Sequence, residues 1–253
     1  MKIIIIGRGR LGKSLVHLLN KSSLEVQLRR HQDIPQNIVE DIIWLTVPDD
    51  SIFAMSQKIP KCKLVIHSSG SLGLDAIDER HNRGIVHPIM TFTGIEKEIP
   101  PPPIPATIQC DNEVDLKLLY QICSKLQFTP YHLPLQASRS VYHAAAVVCG
   151  NFSMLLYELS TQLLMNCGLS EKDAKNALLP LIQQGIQNLK GNKFTNVITG
   201  PSVRKDMETM NKHRHVLAQI NPRWEELYSL CSMEIEEQLK FQNSLKEGNN
   251  KKK

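Results

Sequence analysis

Short apolar runs alternate with segments of helical spacing over the first half of the chain. The β-branched run 2–6 is typical of a strand buried on both faces, and residues 13–19 beyond it have helical spacing. Similar runs predict six further strands at 24–28, 42–47, 64–67, 85–88, 106–110 and 128–133. Helices, 113–125 among them, separate several of these strands. This alternation predicts a mostly parallel sheet with helices on both faces.

The pattern changes after Pro134. Strand signals give way to long segments with helical periodicity, at 137–166, 170–190, 202–219 and 222–245. We therefore predict an α/β domain over residues 1–134, an all-helical domain over 135–245, and a disordered basic tail over 246–253. The helices are long enough to form a bundle or a homodimer interface.

A glycine-rich turn joins the first strand to the first helix, with the sequence Gly7-Arg8-Gly9-Arg10-Leu11-Gly12. A strand, a G-x-G-x-x-G turn and a helix in this order are typical of a Rossmann dinucleotide-binding domain. Gly7 allows the tight turn, Gly9 lets backbone amides approach a pyrophosphate, and Gly12 lets helix and strand pack closely. The helix N-terminus adds N–H groups for the phosphates. The alternative is a glycine-rich turn that binds nothing.

The second strand ends at Arg29 and Arg30, where this fold reads the adenosine ribose. An acid there favours NAD, whereas arginine pairs with the 2′-phosphate of NADP. Two arginines with no acid before Asp33 favour NADP, and Arg8 or Arg10 can add a contact. The alternative is that the two arginines only end a strand in water.

Three more strands end in residues suited to a ligand crevice. Val47-Pro48 follows the third strand, Ser68-Ser69-Gly70 the fourth, and His87-Pro88 closes the fifth. The carboxyl ends of parallel strands line the ligand crevice of α/β folds. Small hydroxyl residues and glycine there suit close contact with a nicotinamide ring or a small substrate.

Composition changes this picture little. The chain has 253 residues, 42% of them hydrophobic, and a net charge of +5. Four lysines and one glutamate in the last eight residues carry much of that charge, and nothing in the body indicates a nucleic-acid surface. Six cysteines without C-x-x-C pairs indicate a reducing compartment. Without a secretory signal, a membrane span or metal-ligand spacing, we expect a cytoplasmic protein that binds no metal.

Several motifs together carry a family resemblance, covering most of the chain to about Tyr228. They are Gly7 to Gly12, Val47-Pro48-Asp49, His67-Ser68-Ser69-Gly70-Ser71, His87-Pro88, Tyr142-His143-Ala144, Asn151-Phe152, and Gly200-Pro201 with Arg204, Asp206 and His213. The pattern resembles Rossmann-like proteins with a DUF2520-type C-terminal domain, relatives of pyrroline-5-carboxylate reductase and of the 6-phosphogluconate dehydrogenase-like group. One branch is similar to an alternative ketopantoate reductase, which makes pantoate for coenzyme A synthesis. Lys205 departs from the pattern, since many relatives have glycine there.

The first helix of the second half carries two candidate catalytic residues. His143 can donate a proton or a hydrogen bond to a substrate oxygen near neutral pH, and small alanines follow it. The alternative is a histidine packed between helices. Asn151 borders the same face of an ideal helix and can position the cofactor amide or the substrate carbonyl; a capping or interhelical role is the alternative. His87 is a second-rank candidate.

The resemblance implies a substrate anchor at Arg204, because a guanidinium grips a carboxylate with two hydrogen bonds. Asp206 would orient Arg204 or cap a helix. The alternative for this stretch is a Gly-Pro turn that starts a helix with solvent-facing charges.

We therefore expect an NADP-dependent reductase, a homodimer, that acts on a small carboxylated ketone, with ketopantoate the preferred substrate. Within enzymes, the alternative is an imine reductase of the pyrroline-5-carboxylate type. In another class, the alternative is a regulatory protein that senses NADPH without turnover. Such a sensor would tolerate loss of His143 and Arg204, whereas an enzyme would not.

Overall fold

A computed structural model describes residues 2–22, 24–34, 36, 38 and 41–250. The chain divides into two compact units, Met1–Met154 and Leu155–Lys253, which are described separately. The division falls later than the boundary predicted near residue 134. The helix that begins at Arg139 is held to the first unit, because the Arg139 guanidinium donates a hydrogen bond to the carbonyl of Ser69.

The first unit is built on a seven-stranded sheet with the order β2-β1-β3-β4-β5-β6-β7. The strands are β1 (Lys2–Ile6), β2 (Glu25–Arg29), β3 (Ile42–Leu45), β4 (Leu64–His67), β5 (Arg83–Pro88), β6 (Ile104–Cys110) and β7 (Phe128–His132). β1 to β5 run parallel, and β6 is antiparallel to β5. β7 pairs parallel with β6. The carboxyl ends of β1, β3, β4 and β5 therefore share one edge.

The described residues of the first unit form the α-helices α1 (Arg10–Asn20), α2 (Ile52–Lys58), α3 (Glu113–Leu126) and α4 (Arg139–Val147). β1 shows why both faces of the sheet are covered. Ile3 and Ile5 join one apolar cluster with side chains of α1 and α3. Ile4 and Ile6 join a second cluster with side chains of α2. The prediction of a mostly parallel α/β domain is confirmed.

The predicted single helix 137–166 has an interruption. Ser138 caps α4 by accepting a hydrogen bond from the amide of Val141, and α4 runs into a π-helical segment, Val148–Phe152. α5 (Ser153–Asn166) continues from there. A π-helical turn holds one more residue than an α-turn, so it shifts every later side chain around the helix. The spacing of an ideal helix therefore does not apply across residues 148–152.

The second unit is helical, as predicted. Beyond α5 it contains α6 (Glu171–Leu189), α7 (Phe194–Val197), α8 (Pro201–Arg204), α9 (Met207–Ile220) and α10 (Pro222–Asn250). The predicted helix 202–219 is split at Lys205, whose φ of 56° is left-handed. α10 ends at Asn250 and so extends into the segment 246–253 predicted as a disordered tail. Residues 251–253 lie outside the described residues.

Two kinds of feature are absent from the part of the chain that the structure describes. No helix there combines the length and apolar character needed to cross a membrane. No group of three or more His, Cys, Asp or Glu side chains there is placed to hold a metal ion. All six cysteines are free thiols.

Candidate active site

The glycine turn lies at the carboxyl edge of the sheet and is shaped by close packing. Gly7 has a φ of 125°, and a Cβ there would lie 2.5 Å from the carbonyl oxygen of Thr46. A Cβ on Gly12 would overlap the carbonyl oxygen of Gly7. Gly9, which precedes α1, has no atom within 4 Å of its Cβ position. The fold thus requires glycine at 7 and 12, while the open space at Gly9 leaves the backbone accessible to a phosphate group.

The predicted cofactor residues around this turn lie on the same edge. Arg8 and Arg10 are exposed, and Leu11 packs against the core. The carbonyl of Arg29 accepts a hydrogen bond of 3.1 Å from the amide of Gly7, so the end of β2 lies beside the turn. The guanidinium of Arg29 donates to Gln27 Oε1 at 3.0 Å, and Arg30 is exposed.

The loops after β3 and β4 are joined by hydrogen bonds. Val47-Pro48 leads into Asp49, whose Oδ2 accepts from Ser69 Oγ at 2.6 Å and from Ser71 Oγ at 3.1 Å. Ser68 Oγ donates to the carbonyl of Val86 at 2.7 Å. The hydroxyls of Ser68 and Ser69 therefore hold the loop in shape. Its backbone, which includes Gly70, lies at the carboxyl edge of the sheet.

His67 at the end of β4 is fully buried and holds this loop by two hydrogen bonds. Its Nδ1 accepts from the amide of Ser69 at 3.1 Å, so its Nε2 carries the proton and donates to the carbonyl of Gly73 at 3.0 Å. Burial lowers the pKa of His67 to about 4. His67 is a neutral structural histidine, in agreement with its predicted place within the sheet.

α4 brings the polar side chains of Arg139, Tyr142 and His143 to the edge. Arg139 is 7% exposed and donates through Nη2 to the carbonyl of Ser69 at 2.9 Å. Its guanidinium carbon lies 4.7 Å from the centroid of the Tyr142 ring. The Tyr142 hydroxyl lies 2.5 Å from Nδ1 of His87, which joins α4 to the end of β5.

His143, the next residue of α4, packs on the loop after β4. A Cβ at Gly70 would overlap the His143 ring, so only glycine allows this approach. The Nδ1 of His143 is buried without a hydrogen-bond partner among the described residues. The rings of His143 and His87 meet edge-on, with 6.1 Å between their centroids.

A cavity of about 390 Å³ opens beside these two rings. Its lining residues are His87, Pro88, Ile89, Met90, Thr91, His143, Ala146, Val147, Cys149, Gly150 and Asn151. Asn151 lies in the π-helical segment, which turns residues 149–151 toward the same cavity as His143. Such segments are frequent at functional sites. A cavity with two imidazoles and an amide can hold a small polar molecule by several hydrogen bonds.

Electrostatics sets the protonation states here. Burial, followed by the positive charge of Arg139, lowers the pKa of His87 to about 4, so His87 is neutral at pH 7. Burial raises the pKa of Tyr142 above its usual value, and a hydrogen bond with Thr107 and the charge of Arg139 both oppose that rise. Burial also lowers the pKa of Arg139.

A family model described as "Domain of unknown function (DUF2520)" matches residues 104–235, which is more than half of the chain. The chain belongs to this DUF2520 family. No curated protein matches it.

Solved structures share the fold of this DUF2520 protein at low sequence identity. A candidate NADP oxidoreductase from Bacteroides fragilis has a TM-score of 0.77 and 22% identity, over 93% of this chain and 98% of that one. A protein from Thermotoga maritima gives a TM-score of 0.70 and 19% identity, with 95% and 99% covered. Pyrroline carboxylate reductase from Plasmodium falciparum, crystallised with NADP bound, has a TM-score of 0.59 and 15% identity, over 94% of this chain and 98% of that one.

Two predicted site residues of this DUF2520 protein belong to the second unit. Arg204 ends the short helix α8 and is exposed. Asp206 accepts hydrogen bonds from the amide of Thr209 at 3.1 Å and from its hydroxyl at 2.8 Å. These bonds make Asp206 the cap of α9, which is one of the two alternatives that the sequence left open.

Sequence reasoning missed Arg139 and the role of Tyr142, and it ranked His87 second. The three residues come from two elements that are far apart in the chain. The available signals were the Tyr142-His143 pair and the His87-Pro88 strand end in the family pattern. Neither signal shows that the two side chains share a hydrogen bond.

Proposed function

We propose that this protein is an NADPH-dependent reductase of a small carboxylated ketone, and that 2-dehydropantoate (ketopantoate) is reduced to pantoate. The observation that supports this best is the cavity lined by His87, His143 and Asn151, at the same sheet edge as a glycine turn with room for a phosphate. A bound nicotinamide would supply the hydride. The residues of this chain would bind and orient the cofactor and the substrate, and they would protonate the substrate oxygen.

The glycine turn would hold the cofactor diphosphate, since open space at Gly9 meets the amides at the start of α1. Arg29 and Arg30, with Arg8 or Arg10, would bind the 2′-phosphate of NADP. Val47-Pro48 and the loop 68–70 would border the nicotinamide. The likeness to a candidate NADP oxidoreductase and to a reductase crystallised with NADP supports this cofactor.

The substrate would occupy the cavity of the first unit. His143 would donate a hydrogen bond to the substrate oxygen as negative charge develops on it, because such donors act most strongly where water is excluded. Asn151 would fix the carbonyl. The family resemblance assigns the carboxylate anchor to Arg204, whose guanidinium is exposed. Asp206 would position Arg204 through the start of α9.

A second candidate is reduction of a cyclic imine. The specific observation in its favour is the shared fold with pyrroline carboxylate reductases, one from Plasmodium falciparum and one from Streptococcus pyogenes. The same cavity would serve either substrate, because both reactions add a hydride and a proton across a double bond.

We also infer a homodimer, in which a second copy covers the apolar side chains of the second unit. Leu181 is 70% exposed and Ile186 63% exposed on α6. We expect wild-type protein to sediment as a dimer and Ile186→Glu as a monomer, with Lys190→Glu as the charge control. A monomeric wild type would exclude this assembly.

Six free cysteines support a reducing, cytoplasmic location.

Calorimetric titration with NADPH and NADH tests the cofactor. Wild-type protein should bind NADPH at least tenfold more tightly than NADH, and Arg29→Ala with Arg30→Ala should erase that preference. Gly9→Val should abolish binding of both without loss of fold, because its side chain enters open space. An unchanged preference in the double variant would mean that the 2′-phosphate is read elsewhere.

Turnover of ketopantoate tests the active site and separates an enzyme from a sensor. His143→Ala should lower kcat about 100-fold, the size typical of one lost oxyanion donor, with little change in the Kd of NADPH. An equal loss of turnover and NADPH binding would remove His143 from the active site.

A further inference from the structure

Arg139 has an unusual environment for a buried cation. Among the described residues, its Nε and Nη1 have no hydrogen-bond partner, and the electrostatic partner of the guanidinium is Tyr142 and not a carboxylate. An unpaired buried charge is costly, so an arginine held this way needs a compensating negative charge at some stage. The group in contact with it that can become negative is the phenol of Tyr142, 4.7 Å away at the ring centroid.

Tyr142 in turn reaches the cavity through His87. Its hydroxyl lies 2.5 Å from Nδ1 of His87, and His87 lines the cavity. The charged or titratable groups that act on His87 are Arg139, His143, Asp49 and His67. Because His87 is neutral at pH 7, it can give up the proton on Nε2 only if Nδ1 takes another proton at the same time.

We propose that Tyr142, His87 and Arg139 form a proton relay, in which the hydroxyl of Tyr142 supplies a proton to the cavity through the imidazole of His87. His87 is the catalytic residue of the relay, whereas Tyr142 and Arg139 act through it. This inference rests on the proposed reductase function and assigns the source of its proton; His143 remains the second hydrogen-bond donor.

In this relay the carbonyl carbon gains a hydride, which a bound NADPH would supply on becoming NADP⁺, and the electron pair of the C=O double bond moves to the oxygen. The oxygen takes the proton from Nε2 of His87, while Nδ1 takes the proton of the Tyr142 hydroxyl. The products are an alcohol, a neutral His87 protonated on Nδ1, and a Tyr142 phenolate beside Arg139. A solvent proton at Nε2 and return of the Nδ1 proton to the phenolate restore the starting state.

The test begins with the protein alone, by nitrogen NMR on histidine-labelled protein, with His87→Gln identifying the His87 signals. We expect the His87 proton on Nε2 in the wild type. Tyr142→Phe should mix the two tautomers and raise the pKa of His87, because the hydroxyl donor that favours the neutral ring is lost. The matched control is Tyr131→Phe, an exposed tyrosine of the same unit, which should change neither.

The second arm is ketone reduction. Tyr142→Phe should lower kcat about 100-fold, the size typical of a lost acid, with the Kd of NADPH unchanged. Arg139→Gln should move the alkaline fall in kcat to higher pH, since the phenolate loses its cation, and Arg139→Lys should move it less.

Each outcome has a distinct meaning. A wild-type His87 protonated on Nδ1, or a Tyr142→Phe variant with wild-type kcat, overturns the relay. A wild type that reduces no ketone overturns the proposed function, and the tautomer still decides whether Tyr142 donates to His87.

Discussion

The two units differ most in how they bury apolar side chains. In the first unit, more than 30 hydrophobic residues are buried, and all four isoleucines of β1 are fully buried. In the second unit, the buried hydrophobic residues among those described are Ala174, Met210 and Leu217. Large apolar side chains of α5, α6, α9 and α10 are instead exposed, among them Leu181, Ile186 and Leu230.

This contrast separates two sources of stability. The first unit has a two-sided core of its own, which keeps the glycine turn and the His87–Tyr142 contact fixed in place. A helical unit with so few buried apolar side chains gains little from its own core, since burial scales with apolar area removed from water. Its stability therefore depends on what covers its exposed helices, which is the basis of the proposed homodimer.

The largest expected effect comes from the same substitution made in each unit. Ile5→Ala should lower the free energy of unfolding of the first unit by about 2–5 kcal/mol, because it leaves a cavity in a closed core. At dilutions where the protein is monomeric, Ile186→Ala should change the free energy of unfolding of the second unit by less than about 0.5 kcal/mol. Urea unfolding followed by tryptophan fluorescence can separate the units, since Trp44 lies in the first and Trp224 in the second. Equal losses would contradict the contrast.

Acid should destabilise the first unit through His67. Its pKa of about 4 in the fold lies below the ordinary 6.5, so the unfolded chain binds the extra proton between these values. Stability is complete above pH 6.5 and falls until about pH 4. The advantage of wild type over His67→Asn should shrink by up to about 3 kcal/mol over this range in urea unfolding. Gln57→Asn, a substitution without a titratable group at an exposed position, should show no such change.

The smallest effect is expected in the second unit, at Lys205. Its left-handed φ of 56° is unfavourable for a residue with a Cβ. Lys205→Gly should raise the free energy of unfolding of that unit by about 1 kcal/mol, whereas Lys205→Ala should leave it unchanged. A stabilising Lys205→Ala would show that the lysine charge, and not the backbone, matters.

Much of the fold could be predicted from the sequence, because its determinants are local. The β-branched run of β1, the glycine turn and the start of α1 follow one another directly. The break at Lys205 and the π-helical segment around Gly150 could not be predicted, since the side chains still follow a helical pattern there.

The candidate site was harder to predict than the fold. Its cavity joins His87 of β5 to Tyr142 and His143 of α4. Which side chains meet there depends on how α4 docks against the sheet, and hydrophobic periodicity does not specify that docking. The lowered pKa values of His87 and Arg139 follow mainly from their burial, which is equally a property of the folded chain.

The central claim is that the cavity of the first unit reduces a small carboxylated ketone with NADPH. The most direct test incubates the purified protein with NADPH and, separately, ketopantoate, pyrroline-5-carboxylate and other 2-oxo acids, following NADPH absorbance and identifying the product by mass spectrometry. We expect one pantoate formed for each NADPH consumed, with ketopantoate the fastest substrate. Tight NADPH binding with no product from any of these substrates would contradict the claim and favour an NADPH sensor.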